Sequence, residues 1–195
     1  MCSIMTNDVK GNEILTFKEF GRLVKQIDTS TLIGLRDLAI IRLQFSAFCR
    51  VEAICLCRTS DITKNGSDLD ITLRTKKGGA VTLNCGDYRH VLDEYMLAAR
   101  FNNRKNQPLF QTFISGTDRL SGRVVTPHQV HRRIGIYANA AKIKKVIGSN
   151  SIRMSGLLDY LDSGGKLEDA AEIANISLKT LSNFYYRFKR LGLLR

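Results

Sequence analysis

Apolar residues recur at helical spacing along most of this chain. In "LTFKEFGRLVKQI", Phe20, Leu23, Val24 and Ile27 form one stripe on a single helix face. Thr16 and Glu19 at its start make a capping box, in which each side chain satisfies the other residue's backbone N–H. From Leu38 to Cys57 the chain is apolar on nearly every side, which predicts a buried helix rather than a strand, broken near Arg50.

The period then changes to two. Leu69, Ile71 and Leu73 alternate inward in "LDITLRT", "KKGG" supplies a turn, and "AVTL" alternates again, so a β-hairpin is predicted with Lys76 and Lys77 at its tip. "DYRHVLDEYMLAARF" returns to helical period through Tyr88, Val91, Leu92, Tyr95 and Met96. "NNRKNQP" reads as a loop, "LFQTF" as a short strand and "ISGTDRLSGRVV" as another loop. A helix starts at Thr126-Pro127, with Thr as its cap and Pro in its first position. From Ser149 onward the order is helix, "DSGGK" turn, short helix, "ANIS" turn and final helix. The pattern predicts a mainly α domain with a small antiparallel β-sheet (α+β), running over residues 14–195 behind a flexible N-terminus of residues 1–13.

Composition is ordinary for a folded domain except in charge: 30 Lys and Arg against 18 Asp and Glu give +12. An excess of that size points to an anionic partner, and nucleic acid is the commonest. No Lys-rich amphipathic helix with an aromatic face argues for a membrane surface, and no apolar run has the length of a membrane span. No secretory leader is evident in "MCSIMTNDVKGNE". The five cysteines are an odd number without a second pair to match Cys55 and Cys57, which argues against both a disulfide frame and a zinc site. They read as reduced thiols of a cytoplasmic protein, or of a nucleoid-associated one in a prokaryotic or viral setting.

One segment changes the picture. Arg50 stands among apolar Phe48, Cys49 and Val51, where a helix-end arginine would ordinarily pair with Glu52 or a carbonyl. The run "FCRVEAICLCRTSDI" resembles the first box of the tyrosine recombinases (phage integrase family), with Arg50 on the first catalytic arginine and Leu56, Asp61 and Ile62 aligned without a gap. "TLRTKKGGAVTL" is similar to the hairpin that carries the family's catalytic lysine, for which Lys76 is preferred and Lys77 held in reserve. "TPHQVHRRIGIYANAAKI" resembles the basic helix before the second box. "SNSIRMSGLLDYLDSGG" resembles the His-x-x-Arg helix, with Arg153 on the second arginine and Asn150 on the histidine.

In "LSNFYYRFKR" the resemblance implies that Tyr185, which follows Arg153 by 32 residues, is the nucleophile. Helical period agrees, since Leu181, Phe184, Tyr185 and Phe188 share one inward face while Tyr186 points about 100° away. The family implies a DNA breaking-rejoining catalytic-domain fold, a 3′-phosphotyrosine intermediate, double-stranded DNA as partner, a homo-oligomer on that DNA, and no metal or other cofactor. The catalytic set it implies is Arg50, Lys76, Asn150, Arg153 and Tyr185. DNA contacts are expected from Lys77, His128, His131, Arg132, Arg133, Tyr186 and Lys189. The chain opens on the catalytic domain's own first helix, without the family's separate N-terminal core-binding domain, so a minimal recombinase or one with an accessory DNA-binding partner is expected.

The departures are specific. The second histidine or tryptophan falls on Ile176, and the carboxylate after the first arginine on Ala53, with Glu52 one place earlier. Asn150 can hydrogen-bond a phosphate but cannot carry a proton near neutral pH. Asn175 stands at a glycine position whose turn calls for left-handed backbone, which Asn tolerates. A second expectation follows from the last two helices, which also read as a helix-turn-helix whose second helix is rich in Thr180, Ser182, Asn183, Tyr185 and Arg187. Such a protein would be a catalytically silent DNA-binding regulator.

Overall fold

The computed structural model describes residues 13–66, 68–74, 79–101, 106–192 and 194. Lys76 and Lys77, and nearly all of the segment expected to be a flexible N-terminus, lie outside the described residues.

Helix α1 (Phe17–Val24) is closed by the expected box: the Glu19 N–H donates to Thr16 Oγ1 at 3.2 Å and the Thr16 N–H to Glu19 Oε2 at 2.9 Å. Its apolar stripe buries Phe20 and Leu23. Helix α2 (Leu32–Ala47) is buried along most of its length, as an all-round apolar sequence requires. Two devices fix its start. Thr31 Oγ1 accepts from the Gly34 N–H, and the Asp118 carboxylate reaches across to accept from the N–H groups of Leu32 at 2.7 Å and Ile33 at 3.1 Å. That carboxylate satisfies orphan donors where the helix dipole favours negative charge.

The predicted break is real and sits at Phe48, whose φ of 49° places a bulky residue in left-handed backbone. The chain turns there and starts helix α3 (Val51–Cys55) with Arg50 as its N-cap.

Strands β1 (Ile62–Asn65), β2 (Asp68–Arg74) and β3 (Ala80–Asn84) form an antiparallel sheet in that order. Leu69, Ile71 and Leu73 face the core as predicted. The sheet has one strand more than the hairpin read from sequence, because "ITKN" carries a single apolar residue and no alternation. After helix α4 (Arg89–Ala98), strands β4 (Gln111–Phe113) and β5 (Leu120–Val124) pair antiparallel. The stretch "ISGTDRLSGRVV" is therefore not all loop. Its strand is largely exposed and defined by pairing with β4, which leaves no period-two signature.

Helix α5 (Pro127–Ala140) carries the Thr126 cap and first-position proline that were expected. Helices α6 (Ser149–Asp162), α7 (Leu167–Ala174) and α8 (Leu178–Arg190) complete the chain. Asn175 takes the left-handed position after α7 with φ of 49°.

Apolar side chains gather in two clusters. The larger joins α1–α5 and the three-stranded sheet; the smaller joins Phe48, α7, α8 and one face of α6. Helix α6 serves both, with Ile152 in the first and Leu157 in the second. Gly156 is what lets α6 lie against the end of α2: a Cβ there would stand 1.8 Å from the Phe45 carbonyl oxygen. That approach brings Arg153, almost one turn earlier on α6, to the chain reversal at Phe48.

Candidate phosphate site

Arg153 is 3% exposed, and its guanidinium is held by carbonyls of two residues of the smaller cluster. Its Nε donates to the Phe48 carbonyl at 2.7 Å and its Nη2 to the Ala174 carbonyl at 2.5 Å. The left-handed turn at Phe48 and the carboxyl end of α7 thus present oxygens to one guanidinium, and the latter carries the negative end of a helix dipole. Both partners are neutral carbonyls, so the positive charge is held in place without being cancelled.

Arg50 adds a second positive charge. It is exposed, and while its carbonyl accepts from the Ala53 N–H at 3.0 Å, its guanidinium forms no hydrogen bond or ion pair with the described residues, so the ordinary pairing with Glu52 or a carbonyl is not made. Burial lowers the Arg153 pKa and the like charge of Arg50 lowers it further, to about 10, against smaller opposing effects of Cys49 and Glu52. Burial pushes the Cys49 thiol up to about 12, so no thiolate neutralises the pair at neutral pH. Two arginines with no carboxylate bridging them form a site that an anion would stabilise.

The remaining predicted residues lie on α6, α8 and α5. Asn150 is exposed in the first turn of α6, one turn before Arg153. Tyr185 is half-buried on α8 and packs against the smaller cluster with Phe184, while Leu181 and Phe188 are fully inside. Tyr186 is 54% exposed, with its ring edge against that of Tyr185 at 5.4 Å between centroids. Lys189 places its Nζ 5.8 Å from the centre of the Tyr185 ring. The two tyrosines therefore divide as helical period implied. Ile176 packs against the smaller cluster, and Ala53 against the larger.

On α5, His128, His131 and Arg132 are exposed, whereas Arg133 is partly enclosed. Its Nε donates to Asp37 Oδ2 at 2.6 Å, and its guanidinium also contacts the Tyr137 hydroxyl and lies over that ring. The sequence placed Arg133 among the DNA contacts; the fold gives it an internal carboxylate 96 residues away. Sequence reasoning also missed Asp37, Arg36 and Tyr137. A charged Arg-Asp pair inside an otherwise apolar helix was the available signal.

No protein-family model matches the chain. It is 22% identical over 179 residues to the tyrosine recombinase XerC of Myxococcus xanthus, covering 88% of this chain and 57% of that protein. It is 28% identical over 173 residues to the tyrosine recombinase slr0733 of Synechocystis, covering 83% and 53% respectively. Among solved structures, the XerH recombinase in its post-cleavage complex with a palindromic difH substrate superposes with a TM-score of 0.74 over 94% of this chain, at 19% identity and over 52% of that chain.

The fold is that of the tyrosine recombinase catalytic domain.

The XerA recombinase superposes with a TM-score of 0.71 at 20% identity, over 89% of this chain and 58% of that one. The lambda integrase catalytic core does so with a TM-score of 0.63 at 12% identity, over 83% of this chain and 90% of that core. This tyrosine recombinase fold spans only a little over half the length of the curated relatives it matches.

Proposed function

We propose that the chain cuts and rejoins DNA at specific sites through a covalent bond between Tyr185 and a 3′ phosphate. The observation that supports this best is the Arg50–Arg153 pair, whose charge no carboxylate among the described residues bridges, set in a recombinase catalytic fold that also holds Tyr185 half-buried on α8. The two guanidinium groups bind the non-bridging oxygens of a phosphodiester and stabilise the charge that builds there during attack. Tyr185 gives up its phenolic proton to solvent water, its Oη forms a bond to phosphorus, and the bond from phosphorus to the 5′ oxygen breaks. Lys76 gives the leaving 5′ oxygen its proton as general acid, with Lys77 as the alternative on the same turn. Reversal by a second 5′ hydroxyl restores the tyrosine and seals the new strand. No metal or nucleotide enters these steps.

Lys77, His128, Arg132, Tyr186 and Lys189 hold the flanking duplex. The chain works as a single catalytic-type domain, as an oligomer on DNA and with an accessory DNA-binding domain or partner. Its solved neighbours include a lambda integrase dimer on a core site and a lambda integrase tetramer on a Holliday junction. No helix among the described residues is long and apolar enough to cross a membrane, in keeping with action on DNA in the cytoplasm.

A binding site selected from random duplexes, then nicked near its centre, gives a substrate that traps the covalent species. The parent and Tyr186→Phe form the adduct and Tyr185→Phe does not. Specific binding without any adduct would replace this reading with the regulator, for which the loss of both histidine-type residues and the exposed Asn183 and Arg187 on α8 speak.

A further inference from the structure

An imidazole does reach the arginine helix, and it comes from another element. Gly148 is the N-cap of α6, two residues before Asn150 and five before Arg153. Its backbone is extended, with φ of −144° and ψ of −169°, which any residue can adopt. The need for glycine is spatial. A Cβ at that position would lie 2.1 Å from Cε1 and 2.3 Å from Nδ1 of His131, so the His131 ring rests directly on the Gly148 backbone. Helix α5 thereby delivers a ring nitrogen donor to the amino end of α6.

Three further features make that end a place for an anion. The N-cap Gly148 has no side chain to offer α6, and although its own N–H donates to Ser151 Oγ at 3.3 Å, the N–H groups of Ser149, Asn150 and Ser151 have no side-chain acceptor among the described residues. The Ser149 hydroxyl, 6% exposed as a residue, has no hydrogen-bond partner among the described residues. One turn further along the helix is Arg153, with Arg50 beside it. No carboxylate among the described residues pairs with His131.

We propose that His131 is a catalytic residue of this protein, hydrogen-bonding a non-bridging oxygen of the phosphate held by Arg50 and Arg153. It supplies from α5 the imidazole that Asn150 does not supply from α6. This rests on the cleavage reading above. Because His131 is exposed, His131→Ala removes the imidazole with little effect on folding. Gly148→Ala is the complementary variant: it keeps the imidazole but drives the ring off its seat, a flexible side chain yielding to the new Cβ.

Adduct formation on the nicked duplex is expected to slow about ten- to a hundredfold in both variants, the range for a lost hydrogen bond to a charged oxygen. A second measurement does not depend on cleavage. In NMR titrations with inorganic phosphate, the His131 ring resonances of Tyr185→Phe protein shift, and the shift disappears when Arg50→Ala is added. Unchanged adduct rates in both variants, an unmoved His131 resonance, or a shift indifferent to Arg50 would each overturn the assignment. If the parent forms no adduct, the cleavage reading falls, and the phosphate titration still decides whether His131 shares a site with the arginines.

Discussion

Two pairs of arginines sit in this fold, and they are partnered in opposite ways. Arg36 and Arg133 share the buried Asp37 carboxylate: Arg36 donates to Oδ1 through Nε at 3.0 Å and Nη2 at 2.6 Å, while Arg133 and the Tyr137 hydroxyl donate to Oδ2 at 2.6 and 2.7 Å. Arg36 also reaches the Gln111 carbonyl at 2.8 Å, so the network ties α2 to α5 and β4. Among the described residues, the guanidinium groups of Arg50 and Arg153 have carbonyls for one member, nothing for the other, and no bridging carboxylate. The first pair is satisfied by the fold itself and holds it together. The second is held in position and left charged, which is poor design for stability and good design for binding a phosphate.

The difference can be broken most forcefully at Asp37. Asp37→Ala strands two arginines and a tyrosine hydroxyl in a buried setting, and a loss of about 3–5 kcal/mol is expected in urea denaturation. Arg50→Ala should do the reverse. Removing the like charge beside Arg153 leaves unfolding stability unchanged or slightly higher, while adduct formation falls by about 10²–10³-fold, as for the loss of one preorganised charge-stabilising donor. A parallel loss of stability and activity in Arg50→Ala would erase the distinction between the pairs.

Phosphate binding gives a gentler test. Inorganic phosphate at about tenfold over its Kd should stabilise the parent by about 1.4 kcal/mol, or a few degrees in Tm, and Arg50→Ala much less. The smallest effect is with pH. Burial opposes the Arg133 charge, but the hydrogen bond and ion pair to Asp37 outweigh it and raise the pKa, so Arg133 stays charged throughout the accessible alkaline range. Arg153 has a folded-state pKa below its unfolded one, so its charge disfavours folding at neutral pH and that penalty is relieved as pH rises through about 10. Stabilisation by phosphate should therefore fade between about pH 9 and 11, read as Tm with and without phosphate at each pH, with the Asp37 network intact.

Much of the local structure was legible. Both threonine caps, the break before Arg50, the left-handed Asn175 and the separation of Tyr185 from Tyr186 all depend on residues within a few positions of one another. Strands β1 and β5 were not legible, because each is mostly exposed and becomes a strand only by pairing. Around the candidate site, the sequence distinguished Arg50 and Arg153 as members of a motif, while Asp37 inside an apolar helix signalled a buried partner without saying that it would be Arg133 on the basic helix. Nor did it connect His131 to Gly148, since a glycine before a helix has many ordinary explanations.

What the sequence determined by itself is the order and spacing of the helices, and with them the 32 residues between Arg153 and Tyr185. Helical period and capping act over one or two turns, so that information lies in neighbouring residues. Only tertiary structure decided which arginines are neutralised and where an imidazole lies. Charge compensation depends on separations of a few ångströms between groups far apart in the chain, and close helix contacts, such as Gly156 on α2 and Gly148 under His131, set those separations here.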